Sequence, residues 1–117
     1  MAADYVPDAG DLIKVDFRSG QIGHEQAGWC PALVLSPRGY NKKTGLAVVG
    51  PVTSAIKGYP FEVNLPAGLK TSGTILSDAA RSIDWRERQV RYFEKAPADV
   101  LRNVQARLAA LLGLSKP

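Results

Sequence analysis

Several short apolar stretches with a two-residue period, closed by one stretch of helical period, predict a mainly β protein with one C-terminal helix. Ile13, Val15 and Phe17 alternate with Lys14 and Asp16, the pattern of a strand that buries one face. Val100, Leu101, Val104, Leu108, Leu111 and Leu112 instead recur at three- and four-residue spacing, which gathers them on one side of a helix. Short strands followed by one amphipathic helix suggest a small, strongly curved sheet or barrel with the helix packed on it.

Between these ends the elements follow in order. Arg18 to Gly28 holds Gly20, Gly23 and Gly28 with few apolar residues and reads as a long loop. Ala32–Leu35 and Leu46–Val49 are short apolar runs that suit buried strands. The intervening stretch from Pro37 to Gly45 reads as a turn or a single helical turn. Tyr59, Phe61, Val63 and Leu65 alternate with Pro60, Glu62 and Asn64, and the proline places this strand at a sheet edge. Gly73–Leu76 and Gln89–Glu94 complete the strands. Tyr59, Phe61 and Trp85 fall within strand-like patterns and are assigned to the core, whereas Trp29 fits either a core or a stacking role. In the closing helix, Pro97 suits the first turn, Asp99 complements the positive end of the dipole, and Gly113 marks the stop.

A chain of 117 residues with no linker or internal repeat most simply forms one domain, residues 1–117. It has no long apolar run and no cationic-then-apolar N-terminus, so neither a membrane span nor a secretory signal is expected, and the cytoplasm is the default location. The lone Cys30 cannot form an internal disulfide, and with His24 alone it cannot build a zinc site. A single histidine also excludes a two-histidine ribonuclease site. No Asp/Glu cluster has the spacing of a two-metal nuclease, so no cofactor or metal is expected. The net charge of +4 and pI near 9.4 suit a polyanionic partner, and they equally suit a basic surface that is merely solvated.

Some side chains could carry chemistry. Glu25, beside the loop glycines, is placed to act as a general base if the loop folds over a substrate; otherwise it is a solvated loop carboxylate. Thr53 and Ser54 end an apolar run, where a hydroxyl either donates to a phosphate oxygen or bonds its own turn. Arg18, Lys57, Arg81, Arg86 and Arg88 border the same loops. They form either an ordinary charged surface or a groove for single-stranded RNA, with bases stacked on Phe17.

Three segments then carry a resemblance. Asp8-Ala9-Gly10-Asp11-Leu12-Ile13-Lys14-Val15-Asp16-Phe17 comes first, and the run from Glu25 through Gly28-Trp29-Cys30-Pro31 to Pro37 second. Lys57-Gly58-Tyr59-Pro60-Phe61-Glu62-Val63 comes third. In this order, and from Tyr5 to the C-terminal helix, the chain closely resembles the MazF/PemK toxins, sequence-specific mRNA endoribonucleases of type II toxin–antitoxin modules. The resemblance implies an SH3-like barrel of the MazF/CcdB type, a homodimer, single-stranded mRNA as substrate and a MazE-like antitoxin as partner. It also implies a metal-independent reaction in which the ribose 2′-hydroxyl attacks the adjacent phosphorus, leaving a 2′,3′-cyclic phosphate. Glu25 matches the family's active-site loop glutamate and Thr53 its catalytic threonine; Ser54 is a weaker companion.

Cys30 departs from the pattern, because the family usually carries arginine before this proline. A guanidinium offers phosphate a charged, bidentate fork, and a thiol offers one weak donor. Three accounts fit: another arginine such as Arg86 or Arg38 fills in, the change attenuates activity, or it is an engineered change that permits expression. Two alternatives to an active nuclease follow. One is a catalytically weakened or inactive member, and the other is a CcdB-like protein that poisons DNA gyrase by binding it.

Overall fold

A computed structural model describes residues 5–16 and 29–114. The chain runs through β1 (Asp11–Asp16), β2 (Trp29–Val34), α1 (Arg38–Thr44), β3 (Leu46–Thr53), β4 (Glu62–Asn64) and β5 (Thr74–Leu76). A 3-10 turn (Ser77–Ala79), β6 (Arg81–Asp84), β7 (Val90–Lys95) and α2 (Ala98–Leu111) follow. The described strands form one seven-stranded antiparallel sheet in the order β4-β5-β3-β2-β1-β7, with β6 also paired to β3. The expected mainly β architecture with a C-terminal helix stands, and the loop expected over residues 18–28 lies outside the described residues.

Strand alternation divides the apolar side chains between two cores. Leu12, Leu33, Leu35, Val52, Val63 and Ile75 turn to one face, where Val100 and Val104 of α2 close over them. Ile13, Val15, Ala32, Val34, Ala47, Val49 and Ile83 turn to the other, against Tyr5, Trp85 and Val90. Residues 85–89 connect β6 and β7, which lie on opposite sides of the β3-β2-β1 trio, so the sheet curls over this second face. Trp85 holds the connection in place by donating its indole N–H to the Asn41 carbonyl at 3.0 Å.

Local differences from the expectation have clear causes. The segment after Pro37 is a seven-residue helix rather than a single turn. Its buried Asn41 amide donates to the Pro7 and Ser36 carbonyls at 2.8 and 2.9 Å, which ties the helix to its surroundings. Gly45 ends it with φ +78, a left-handed conformation that a glycine adopts without strain. β4 is shorter than the alternation suggested, because Tyr59 to Phe61 belong to the preceding loop; its place at the sheet edge stands. β6 had no period to reveal it, since Ile83 is its only buried residue. In α2 the buried stripe stops early: Leu111 and Leu112 are 49% and 67% exposed, against the expectation that they complete the apolar face. The Gly113 stop is as expected, with φ +77 and its N–H donating to the Ala110 carbonyl. No helix among the described residues is long and apolar enough to cross a membrane.

Candidate active site

The second, self-wrapped face carries the candidate site at one rim. Ala47 and Val49 belong to this face, so Pro51 and Thr53, at the same parity along β3, share it. By the same alternation Cys30 shares it with Ala32 and Val34 of β2. The pairing of the two strands ends at Ala32 and Pro51, so Cys30 and Thr53 each stand two residues past the last pair, on the same face. Both side chains are half-buried.

Thr53 is held firmly. Its Oγ1 accepts the Ala55 N–H at 3.1 Å, a turn contact that leaves the hydroxyl proton able to donate elsewhere. On the other side of β3, Thr53 pairs with Thr74 of β5. That approach requires Gly73, where a Cβ would lie 2.4 Å from the Thr53 carbonyl oxygen and φ is +125. A cavity of about 120 Å³ opens here, lined by Thr53, Ala55, Lys57, Tyr59, Glu62 and Leu76. Lys57 therefore joins Thr53, as the loop position suggested, and Ser54 stands exposed between them. Tyr59, expected in the core, is half-buried at this cavity, with its hydroxyl 3.2 Å from Asp78 Oδ1.

Burial, reinforced by the nearby Asp16 and partly offset by Lys14, pushes the Cys30 thiol above its usual range. The group is a neutral weak donor at physiological pH. Neither arginine considered as a replacement stands beside it. Arg38 lies at the start of α1, 3.8 Å from Asp8, and Arg86 spreads over the Trp85 ring while donating to the Lys42 carbonyl at the far end of β3. Arg81 is better placed. It pairs with Val49 and so shares the face of Thr53, about 13 Å along the strand at 3.3 Å per residue.

Arg88 and Arg86 border a separate, larger cavity of about 500 Å³ between Trp29 and Trp85. Trp29 packs beneath the Arg91 guanidinium at 4.4 Å. Phe17, Arg18, His24 and Glu25 lie outside the described residues. Among the described residues, no group of three or more His, Cys, Asp or Glu side chains is arranged to hold a metal ion. Sequence reasoning missed Glu62, which alternation assigns to the polar side of its strand but which is buried at the cavity.

These features sit in a known class of fold. The chain belongs to the PemK-like, MazF-like toxins of type II toxin–antitoxin systems, whose family model matches residues 8–112. Endoribonuclease toxin MazF of Escherichia coli K12 is 45% identical over 113 residues, 97% of this chain and all of that protein. Endoribonuclease PemK of E. coli is 36% identical, covering 85% of this chain and 84% of its own. Among solved structures, MazF from Deinococcus radiodurans (Form-I) aligns with TM-score 0.83 and 57% identity over 94% of this chain and 99% of its own. The MazE-MazF structure (Form-II) from the same organism aligns with TM-score 0.86 and 53% identity, over 96% and 100%.

Proposed function

We propose that this chain is a metal-independent endoribonuclease that cleaves single-stranded mRNA at a short sequence, as the cytoplasmic toxin of a toxin–antitoxin module. We further propose that it works as a homodimer and is silenced by a MazE-like antitoxin. One observation carries the reading: Thr53, on the same sheet face as Cys30, shares a cavity with Lys57. Family membership and the 45% identity to an endoribonuclease support it.

In this reading the ribose 2′-hydroxyl attacks the adjacent phosphorus, the 5′-oxygen departs as a hydroxyl, and a 2′,3′-cyclic phosphate remains. Thr53 donates its hydroxyl proton toward a non-bridging phosphate oxygen, where negative charge builds in the transition state. Lys57 supplies a positive charge at the same cavity, and Arg81, further along the face, holds a neighbouring phosphate. Glu25 is the assigned base, Phe17 the stacking platform and Arg18 a further phosphate contact, all on the sequence pattern. The neutral Cys30 thiol adds no charge, which favours a second reading: the same reaction, weakened by about a hundred- to a thousandfold for one missing contact. The test is cleavage of a long RNA with and without EDTA, with the product ends identified. Undiminished cleavage and cyclic phosphate ends are expected. Loss of cleavage in EDTA with rescue by Mg²⁺ would refute the reaction type.

A further inference from the structure

Glu62 stands out among the carboxylates near the candidate site. It opens β4, is 9% exposed, and lines the small cavity with Thr53 and Lys57. Both of its oxygens are engaged by main-chain amides of one loop: Oε2 accepts the Lys57 N–H at 3.0 Å and Oε1 the Gly58 N–H at 2.8 Å. Its own N–H donates to the Tyr59 carbonyl at 3.1 Å, closing the loop from the other side. Gly58, at φ +84, turns the chain so that the two successive N–H groups point the same way.

The loop held in this manner is residues 54–61, which begins directly after Thr53 and ends at Glu62 itself. We propose that Glu62 is a positioning residue for RNA binding: its carboxylate clamps the Lys57-Gly58 backbone and so presents the Lys57 side chain beside the Thr53 hydroxyl. The assignment rests on the endoribonuclease reading above and deepens it. A bare carboxylate at a phosphate-binding cavity would repel the substrate. Two N–H donors satisfy this charge and turn it into a fixed anchor.

Glu94 supplies an internal control. Its carboxylate accepts the Lys70 and Thr71 N–H groups at 3.0 and 2.7 Å, the same kind of clamp on residues that do not line the Thr53 cavity. If Glu62 were merely structural, removing either clamp would have the same consequences.

The experiment uses the full chain and its Glu62→Gln, Lys57→Ala and Glu94→Gln variants, with the Glu62→Gln/Lys57→Ala double variant. Hydrogen exchange of the Lys57 and Gly58 amides reports the clamp directly. KM and kcat on a short defined RNA, and anisotropy of a 2′-O-methyl analogue that cannot be cut, report its use. Glu62→Gln is expected to speed exchange at both amides and to raise KM and the analogue's Kd about tenfold, below the roughly hundredfold that a misplacement of about 1 Å can cost in a preorganised site. In the Lys57→Ala background it should add nothing further, and Glu94→Gln should leave KM unchanged. Unaltered amide exchange, multiplying losses in the double variant, or an equal KM rise in Glu94→Gln would each overturn the proposal. If Glu62→Gln does not fold, Glu62→Asp keeps the charge but withdraws it by one methylene, and the same outcomes apply. An intact chain that binds no RNA would refute the functional reading, and exchange at the two amides would still decide whether Glu62 is the clamp.

Discussion

The two faces of the sheet bury their apolar side chains by different means. On one, Leu12, Leu33, Val52 and Ile75 are sealed by a separate helix whose Val100 and Val104 are buried against them. On the other, Ile13, Val15, Ala32 and Val49 are enclosed by the curl of the sheet and by Tyr5, Trp85 and Val90. A helix lid covers its face from the outside. A curled sheet leaves a rim, where Thr53 meets the Lys57 loop and Cys30 lies on the same face. The helix-covered face serves stability, whereas the rim of the wrapped face can serve chemistry.

That division can be broken by substitution. Leu33 is fully buried on the helix-covered face, and Leu33→Ala should cost about 2–5 kcal/mol of stability, read by urea denaturation. Cleavage per folded molecule should hardly change. Lys57→Ala at the rim should do the reverse. Its stability should stay within about 0.5 kcal/mol of the parent, while RNA binding weakens and the salt slope falls by about 0.7. A Leu33 variant that folds yet cleaves much more slowly would show that the two faces are coupled.

A smaller effect sharpens the contrast through pH. Burial alone would raise the Glu94 carboxyl, but the Lys70 and Thr71 donors outweigh it and hold the group below its ordinary value of 4.5. A lowered folded value means that this contribution to stability is complete above about pH 4.5 and fades as pH falls through the folded value. Glu94→Gln should therefore lower Tm at pH 7, with the gap to the parent closing in acid. A gap independent of pH would mean that the carboxylate's charge is not what the clamp uses.

Much of this was legible in the sequence because burial on one face leaves a period. Ile13 and Val15 announced β1, and Val100, Val104 and Leu108 announced α2. β6 left no such trace, since three of its four residues are exposed, and Leu111 and Leu112 followed the helical period without being buried. Thr53 and Lys57 stood out as candidates through their segments, but their shared cavity depends on a loop fixed by tertiary contacts. Glu62 was hidden because a buried carboxylate bound to main-chain amides looks, in sequence, like any polar position of an alternating strand. The charge of Arg86 was visible in the sequence, whereas its bond to the Lys42 carbonyl and its place at the cavity between Trp29 and Trp85 were not.

The central claim is that Cys30 and Thr53, on the same sheet face, serve a single phosphate site. Single-turnover cleavage of a defined RNA by this chain, Cys30→Arg, Thr53→Ala and the double variant tests it most directly. Cys30→Arg should raise the rate by about two to three powers of ten, the scale of one preorganised charge contact. That gain should vanish when Thr53 is alanine, because groups acting on one transition state do not contribute independently. An arginine variant that folds but cuts no faster, or one whose gain survives without Thr53, would contradict the shared site.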